Sequence, residues 1–221
     1  MVGIVIALKS EAKQLLKDVS QLESIKLLDK TAYKCKINGI DTVIAISGIG
    51  KVSAGITTQA IIDKFSPDYI INAGTCGGTD KTVTALNFYL VEKCFQFDFD
   101  VTQIDDVEIG YIQEYDTKFF TTYTKGIDFL EKANLATSDR FSNHPKDLGL
   151  IFDNKCAIRD MEGCAIAQTC TSNNVPCIVI KGVSDVYGSG IASEQFFSNL
   201  NKVCEMLSPI VIKTVNTLYN K

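Results

Sequence analysis

The chain has 221 residues, 46% of them hydrophobic and 22% charged, with a formal net charge of −4. That apolar content excludes a disordered chain, and 15 glycines with 4 prolines exclude a collagen-like or low-complexity one. Only 2 arginines accompany 20 lysines, and no cationic patch stands out, which argues against nucleic acid as a partner because phosphate recognition recruits arginine forks.

In chain order, residues 2–7 form an apolar, β-branched run that reads as a strand buried on both faces. The stretch 1–8 is too short for a membrane span and lacks the basic lead-in of a signal peptide, so a cytoplasmic protein without membrane contact is expected. Residues 11–19 read as a helix capped by Ser10, with Ala12, Leu15, Leu16 and Val19 on one face. Asn38-Gly39 is a hairpin signal between two strands, 32–37 and 42–47. A helix over 52–65 stops before Pro67, and a buried strand over 69–73 runs into a glycine-rich loop, 74–78. Beyond it the pattern predicts a strand over 88–97, irregular chain over 98–115, and a helix over 118–133. Short strands at 135–137, 156–159 and 177–182, a helix at 162–171, and a long helix over 193–219 with a kink at Pro209 complete the reading. No linker divides the chain, so one domain over 1–221 is expected. Its fold class is α/β, with a mainly parallel, twisted central sheet, helices on both faces, and ligands at the carboxyl ends of the strands.

The eight cysteines are scattered without a Cys-x-x-Cys pair, and His144 is the single histidine. A zinc site is therefore not expected, and the thiols read as buried and reduced. Gly48-Ile49-Gly50-Lys51 opens a helix whose free N–H groups can hold an oxygen-rich ligand or merely start the turn. It fails as a dinucleotide fingerprint at Ser53 and as a Walker loop at Ala45 and Val52. Gly74-Thr75-Cys76-Gly77-Gly78 permits close approach of backbone to a ligand, or is a plain loop. Asp185 follows an apolar strand, where desolvation raises a carboxyl pKa and suits it to donate a proton. Glu162 starts a helix, whose dipole favours the ionised form, a good acceptor for paired sugar hydroxyls. Taken alone, Asp185 and Glu162 read more readily as a cap or a solvated side chain, and Glu11 as an exposed residue of the first helix.

As an ordered set they say more. The segments are Ala7-Leu8-Lys9-Ser10-Glu11, Ser47-Gly48-Ile49-Gly50-Lys51-Val52, Asn72-Ala73-Gly74-Thr75-Cys76-Gly77-Gly78, Asp98-Phe99-Asp100-Val101-Thr102, Ala136-Thr137-Ser138-Asp139-Arg140-Phe141, Asp160-Met161-Glu162-Gly163 and Val183-Ser184-Asp185. With them the chain resembles the nucleoside phosphorylase superfamily, and within it the bacterial 5′-methylthioadenosine/S-adenosylhomocysteine nucleosidases.

The resemblance implies a three-layer fold and hydrolysis of an N-glycosidic bond through an oxocarbenium-like sugar. In it Asp185 protonates adenine N7, Ser184 orients Asp185, and Glu11 positions and activates water. Glu162 accepts from the ribose hydroxyls and Met161 packs on the sugar. Phe141 stacks on adenine and the backbone of Ser142 reads the base edge. Ile49 walls the 5′-substituent, Thr75 lies near the reacting centre, and Cys76 and Gly77 help bind the substrate. No metal or organic cofactor is implied, and a homodimer is, with the segment 98–102 or the irregular chain after it facing the partner. Leu8, Thr75 and Cys76 replace a usual methionine, serine and alanine, which bears on the accepted 5′-group.

Two other functions stay open in the sequence. A phosphorylase would need arginines near the first strand and the glycine loops, where neither Arg140 nor Arg159 falls; Lys51 is the remaining candidate for phosphate. A nucleoside-binding protein without turnover would not need the three carboxylates.

Overall fold

The computed structural model describes residues 1–79, 82–141 and 144–219. Along them run β1 Val2–Ile6, α1 Lys9–Asp18, β2 Ser20–Leu27, β3 Lys30–Ile37, β4 Ile40–Ile46, α2 Lys51–Phe65, β5 Tyr69–Gly78 and β6 Phe88–Gln96. Then come β7 Phe119–Thr121, β8 Glu131–Thr137, α3 Pro145–Asp153, β9 Ile158–Asp160, α4 Gly163–Ser172, β10 Cys177–Val186 and α5 Ala192–Tyr219. The runs without a polar residue take the middle of the sheet, because only there are both faces covered. Every residue of β1 and of β10 is buried.

Side chains alternate between two cores. Val2, Ile4, Ile6, Ile178 and Ile180 pack with Ala12 and Leu15 of α1 and with Val203, Leu207, Val211 and Val215 of α5. Val5, Val43, Ala45, Ile70 and Val179 pack on the opposite face with Ala54 and Ile61 of α2 and Ile166, Ala167 and Cys170 of α4. Helices thus cover both faces of one α/β sheet.

The sheet is mixed rather than mainly parallel. β1 pairs in parallel with β4 and β5, β5 with β10, β6 with β8, and β8 with β9. Antiparallel pairs are as numerous among the described residues: β2–β3, β3–β4, β5–β9, β6–β7 and β6–β10. The strands β5, β10, β6, β8 and β9 pair in a closed circuit, and β1, β4, β3 and β2 extend from β5. Tight hairpins account for part of the mixture. Asn38 and Gly39 both take positive φ, at 48° and 86°, as a two-residue turn between antiparallel strands requires.

Other expectations also change. Residues 118–133 are not helical: Phe119, Phe120 and Thr121 are aromatic and β-branched and pair with β6, Gly126 turns at φ 78°, and β8 begins at Glu131. Residues 74–78 belong to β5 and pair with β10, so the glycines are ladder rather than loop. β2 and α3 are elements that the sequence pattern does not predict. Ser10 lies inside α1, whose first turn is held instead by Leu8 N–H donating to Glu11 Oε2 at 3.0 Å.

Candidate active site

The carboxyl ends of β1, β4, β5 and β10 point the same way and, with β9, surround a cavity of about 580 Å³. Glu11, Glu162 and Asp185 all line it, and all three are buried.

Glu11 reaches the cavity from the first turn of α1. Its Oε1 accepts from the backbone N–H and the hydroxyl of Thr75, both at 2.7 Å, while Oε2 accepts from Leu8 N–H. Gly74 leaves room for this carboxylate: a Cβ there would lie 3.1 Å from Oε1. The sequence shows an exposed helix residue or a water-activating one; the structure shows a carboxylate fixed by three donors.

Glu162 sits at the N-cap of α4, and its Oε1 accepts from Gly50 N–H at 3.0 Å. Burial and the neighbouring Asp160 push its pKa up to about 7, against smaller lowering by Lys181 and the Gly50 N–H. The helix-terminus argument predicts an ionised group, and desolvation outweighs it. Behind it Lys181, 1% exposed, pairs with Asp160 Oδ2 at 2.7 Å, and Thr137 donates to Asp160 Oδ1 at 2.6 Å. This buried pair is absent from the sequence reading. Its signal was visible as a lysine inside the apolar run Cys177-Ile178-Val179-Ile180-Lys181, where an unpaired charge is untenable.

Asp185 lies within β10, not after it, at a register shift between Val183 and Asp185 against β5. Ser184 Oγ donates to its Oδ1 at 2.8 Å, and Arg159 Nη2 donates to Oδ2 at 3.0 Å. Burial raises its pKa, with Arg159 and Ser184 pulling it back.

The remaining wall is largely apolar. Leu8, Ile49, Phe97, Phe141, Met161 and Phe196 line the same cavity. Phe141 is 56% exposed and stands edge-on to Phe196, their centroids 6.2 Å apart. Among the described residues no group of His, Cys, Asp and Glu has a geometry that could hold a metal ion.

A model of the phosphorylase superfamily matches residues 1–216. The chain belongs to that superfamily. Its relatives place it on one branch of the superfamily. A 5′-methylthioadenosine/S-adenosylhomocysteine nucleosidase of Geobacillus sp. (strain WCH70) is 29% identical over 98% of both chains, and that of Bacillus velezensis is 32% identical over 72% of this chain and 74% of its own. The crystal structure of the Colwellia psychrerythraea nucleosidase in complex with adenine matches with a TM-score of 0.89 and 28% identity, covering 98% of this chain and 95% of that one.

Against the phosphorylase-family motifs, the structure brings Glu11, Ile49, Thr75, Cys76, Gly77, Phe141, Met161, Glu162, Ser184 and Asp185 to a single cavity. Ser142 lies outside the described residues. Lys51 does not join them: it pairs with Asp98 at 2.6 Å, and Asp98 also accepts from Asp139 N–H, so the start of the segment 98–102 braces its own chain's 139–141 turn. Both arginines, placed away from the glycine segments on sequence grounds, line the cavity, and Arg159 lies against Gly77 and Gly78. Sequence reasoning missed Arg159 because its partner, Asp185, is 26 residues away on β10, which does not pair with β9 and stands across Gly77 and Gly78 of β5 from it.

Proposed function

We propose that this member of the nucleosidase branch hydrolyses the N-glycosidic bond of 5′-modified adenosines, 5′-methylthioadenosine and S-adenosylhomocysteine, and releases adenine. The reading rests on one observation: three buried carboxylates, each held by its own donors, converge on one cavity.

Adenine leaves poorly as an anion, so its N7 must gain a proton as the bond to the sugar breaks. Asp185 supplies that proton, with Ser184 fixing one of its oxygens. The sugar becomes cationic, and Glu162, accepting from the ribose hydroxyls, places negative charge beside it. Glu11, immobilised by Thr75 and Leu8, orients a water and takes its proton as it adds to the anomeric carbon. The apolar rim of Leu8, Ile49 and Phe196 suits a thioether on the 5′-carbon.

The reading extends to a homodimer, supported by Val52 and Ile56, apolar and 74% and 47% exposed one turn apart on α2. A cytoplasmic setting is supported by eight buried, unpaired thiols, and among the described residues no helix is long and apolar enough to cross a membrane.

The deciding variant is Asp185→Asn. It should stay folded, at a lower melting temperature because Arg159 loses its counter-charge, and per folded molecule release adenine from 5′-methylthioadenosine about 10²–10⁴-fold more slowly, the usual worth of a general acid. Near-normal turnover would remove Asp185 from the mechanism. Wild-type release should be indifferent to phosphate; a sugar 1-phosphate product would favour phosphorolysis, and tight nucleoside binding without free base would favour a binding protein.

A further inference from the structure

The strand β9 is three residues long, and its central residue, Arg159, is 7% exposed. A buried guanidinium is costly unless it is paired and hydrogen-bonded. Arg159 Nη2 holds Asp185 Oδ2 at 3.0 Å, and Nη1 donates to the Gly78 carbonyl at 2.6 Å. Gly77 makes the room: a Cβ there would fall 2.7 Å from the guanidinium carbon. With Ser184 on Oδ1, Asp185 is gripped by a neutral donor on one oxygen and a cation on the other.

We infer that Arg159 is a positioning residue for the proton transfer, fixing Asp185 Oδ2 and taking up the negative charge the carboxyl acquires when the purine departs. The inference rests on Asp185 being the acid. In the step the Asp185 O–H bond breaks and the N7–H bond forms. The O–H electron pair stays on the carboxylate facing Arg159, and the glycosidic pair leaves with the neutral base while water adds to the sugar.

A cation at this distance has two opposed effects. It makes Asp185 a stronger acid, which speeds transfer, and it lowers the pH up to which Asp185 stays protonated. The other charged neighbours are already committed or distant. Asp160 on β9 is bound by Lys181 of β10, and Glu11 and Glu162 hold backbone donors of their own. Cys76 on β5 is neutral, its thiol pushed far up by burial. Arg140 is tied to Asp147, and α5 offers the cavity the uncharged Ser193, Phe196 and Phe197.

The test is the pH profile of adenine release from 5′-methylthioadenosine in wild type, Arg159→Gln and Arg159→Lys, each checked for a wild-type melt. Glutamine keeps a donor and loses the charge. Its basic limb in kcat/KM should move up by about 1–3 pH units, the effect of one adjacent charge on a carboxyl. At pH values below that limb, where Asp185 is protonated in both enzymes, kcat should fall on the order of tenfold with KM little changed, since the general acid is weakened and not removed. Lysine, which keeps the charge, should return the limb towards the wild type. An Arg159→Gln enzyme that loses activity equally at every pH, with its limb unmoved, would overturn the inference. The wild type alone gives a second answer. With two arginines in the chain, ¹⁵N-guanidinium spectra resolve Arg159, assigned against Arg140→Lys. Its resonance should titrate with the midpoint of the basic limb, and a flat resonance there overturns the inference without any Arg159 variant. If Asp185→Asn is inactive and these results are flat, only the role of Arg159 falls; if Asp185→Asn is active, the mechanism itself falls.

Discussion

Glu162 carries two demands that conflict. Folding buries its carboxyl beside Asp160 and pushes its pKa from the ordinary 4.5 to about 7, whereas binding ribose calls for the ionised form. Between those two values the folded chain holds a proton that the unfolded chain has lost. Stability contributed by this group therefore falls as pH rises from 4.5, and the loss is complete above about 7. Affinity for a ribose diol runs the other way, rising through the same upper bound as the carboxylate forms. The ligand-free melting temperature should thus decline across this window while calorimetric affinity for a non-hydrolysable adenosine analogue improves, and Glu162→Gln should flatten both trends. Affinity that weakened through neutrality would remove Glu162 from the sugar contact. Lys181 keeps the site from going further: without its charge, the Asp160–Glu162 pair would be two like groups in one buried pocket.

At the scale of elements, β1 and α2 meet where side chains leave no room. A Cβ on Gly3 would fall 2.6 Å from Ile70 Cδ1 and 2.7 Å from Ile61 Cγ2, and both isoleucines are fully buried. Gly3→Ala should cost about 1–3 kcal/mol in urea unfolding, as overpacking does, with adenine release per folded molecule unchanged. A neutral substitution would show that β1 and α2 can separate. The same contrast between continuous burial and exposure explains what the sequence could reveal. β1, β4, β10, α1, α2 and α4 were legible because each of the buried strands carries an unbroken apolar run, 2–6, 43–46 and 177–180, and the helices repeat with a 3.6-residue period. β2 was illegible because most of its residues are exposed, so no period of two is imposed on them. The mixed sheet was illegible because pairing direction is set between distant segments: β9 meets β5 through Gly77 and Arg159, and neither residue announces the other. For the site, the carboxylates and the glycines around them could be read in order along the chain. The ion pairs Arg159–Asp185 and Lys181–Asp160 could not, since they exist only after the sheet closes.

The whole molecule is stitched from residues far apart in sequence. Glu11 closes on Thr75, Gly50 on Glu162, and Asp185 on Arg159, so the cavity forms only when β1, β5, β9, α4 and β10 have assembled. The eight cysteines report on that assembly without any engineering. All are free and buried, spread from Cys35 on β3 to Cys204 on α5, and burial raises most of their thiols well above the ordinary 9.0. A thiol reacts as thiolate and needs access, so labelling in the native state requires opening. Cys94 and Cys164, fully buried between sheet and α4, should label only through global unfolding, at rates that track the stability measured in urea. Cys76 lines the cavity, and a bound adenosine analogue should slow its reaction by covering it as well as by stabilising the fold. The analogue should slow Cys94 and Cys164 together, by the single factor set by ligand concentration over its dissociation constant. Mass spectrometry of alkylated peptides over time reads each site separately. If Cys94 and Cys164, each corrected for its reactivity in the unfolded chain, labelled at different rates in the native protein, β6 and α4 would open independently, and the cavity would not be the product of one cooperative fold.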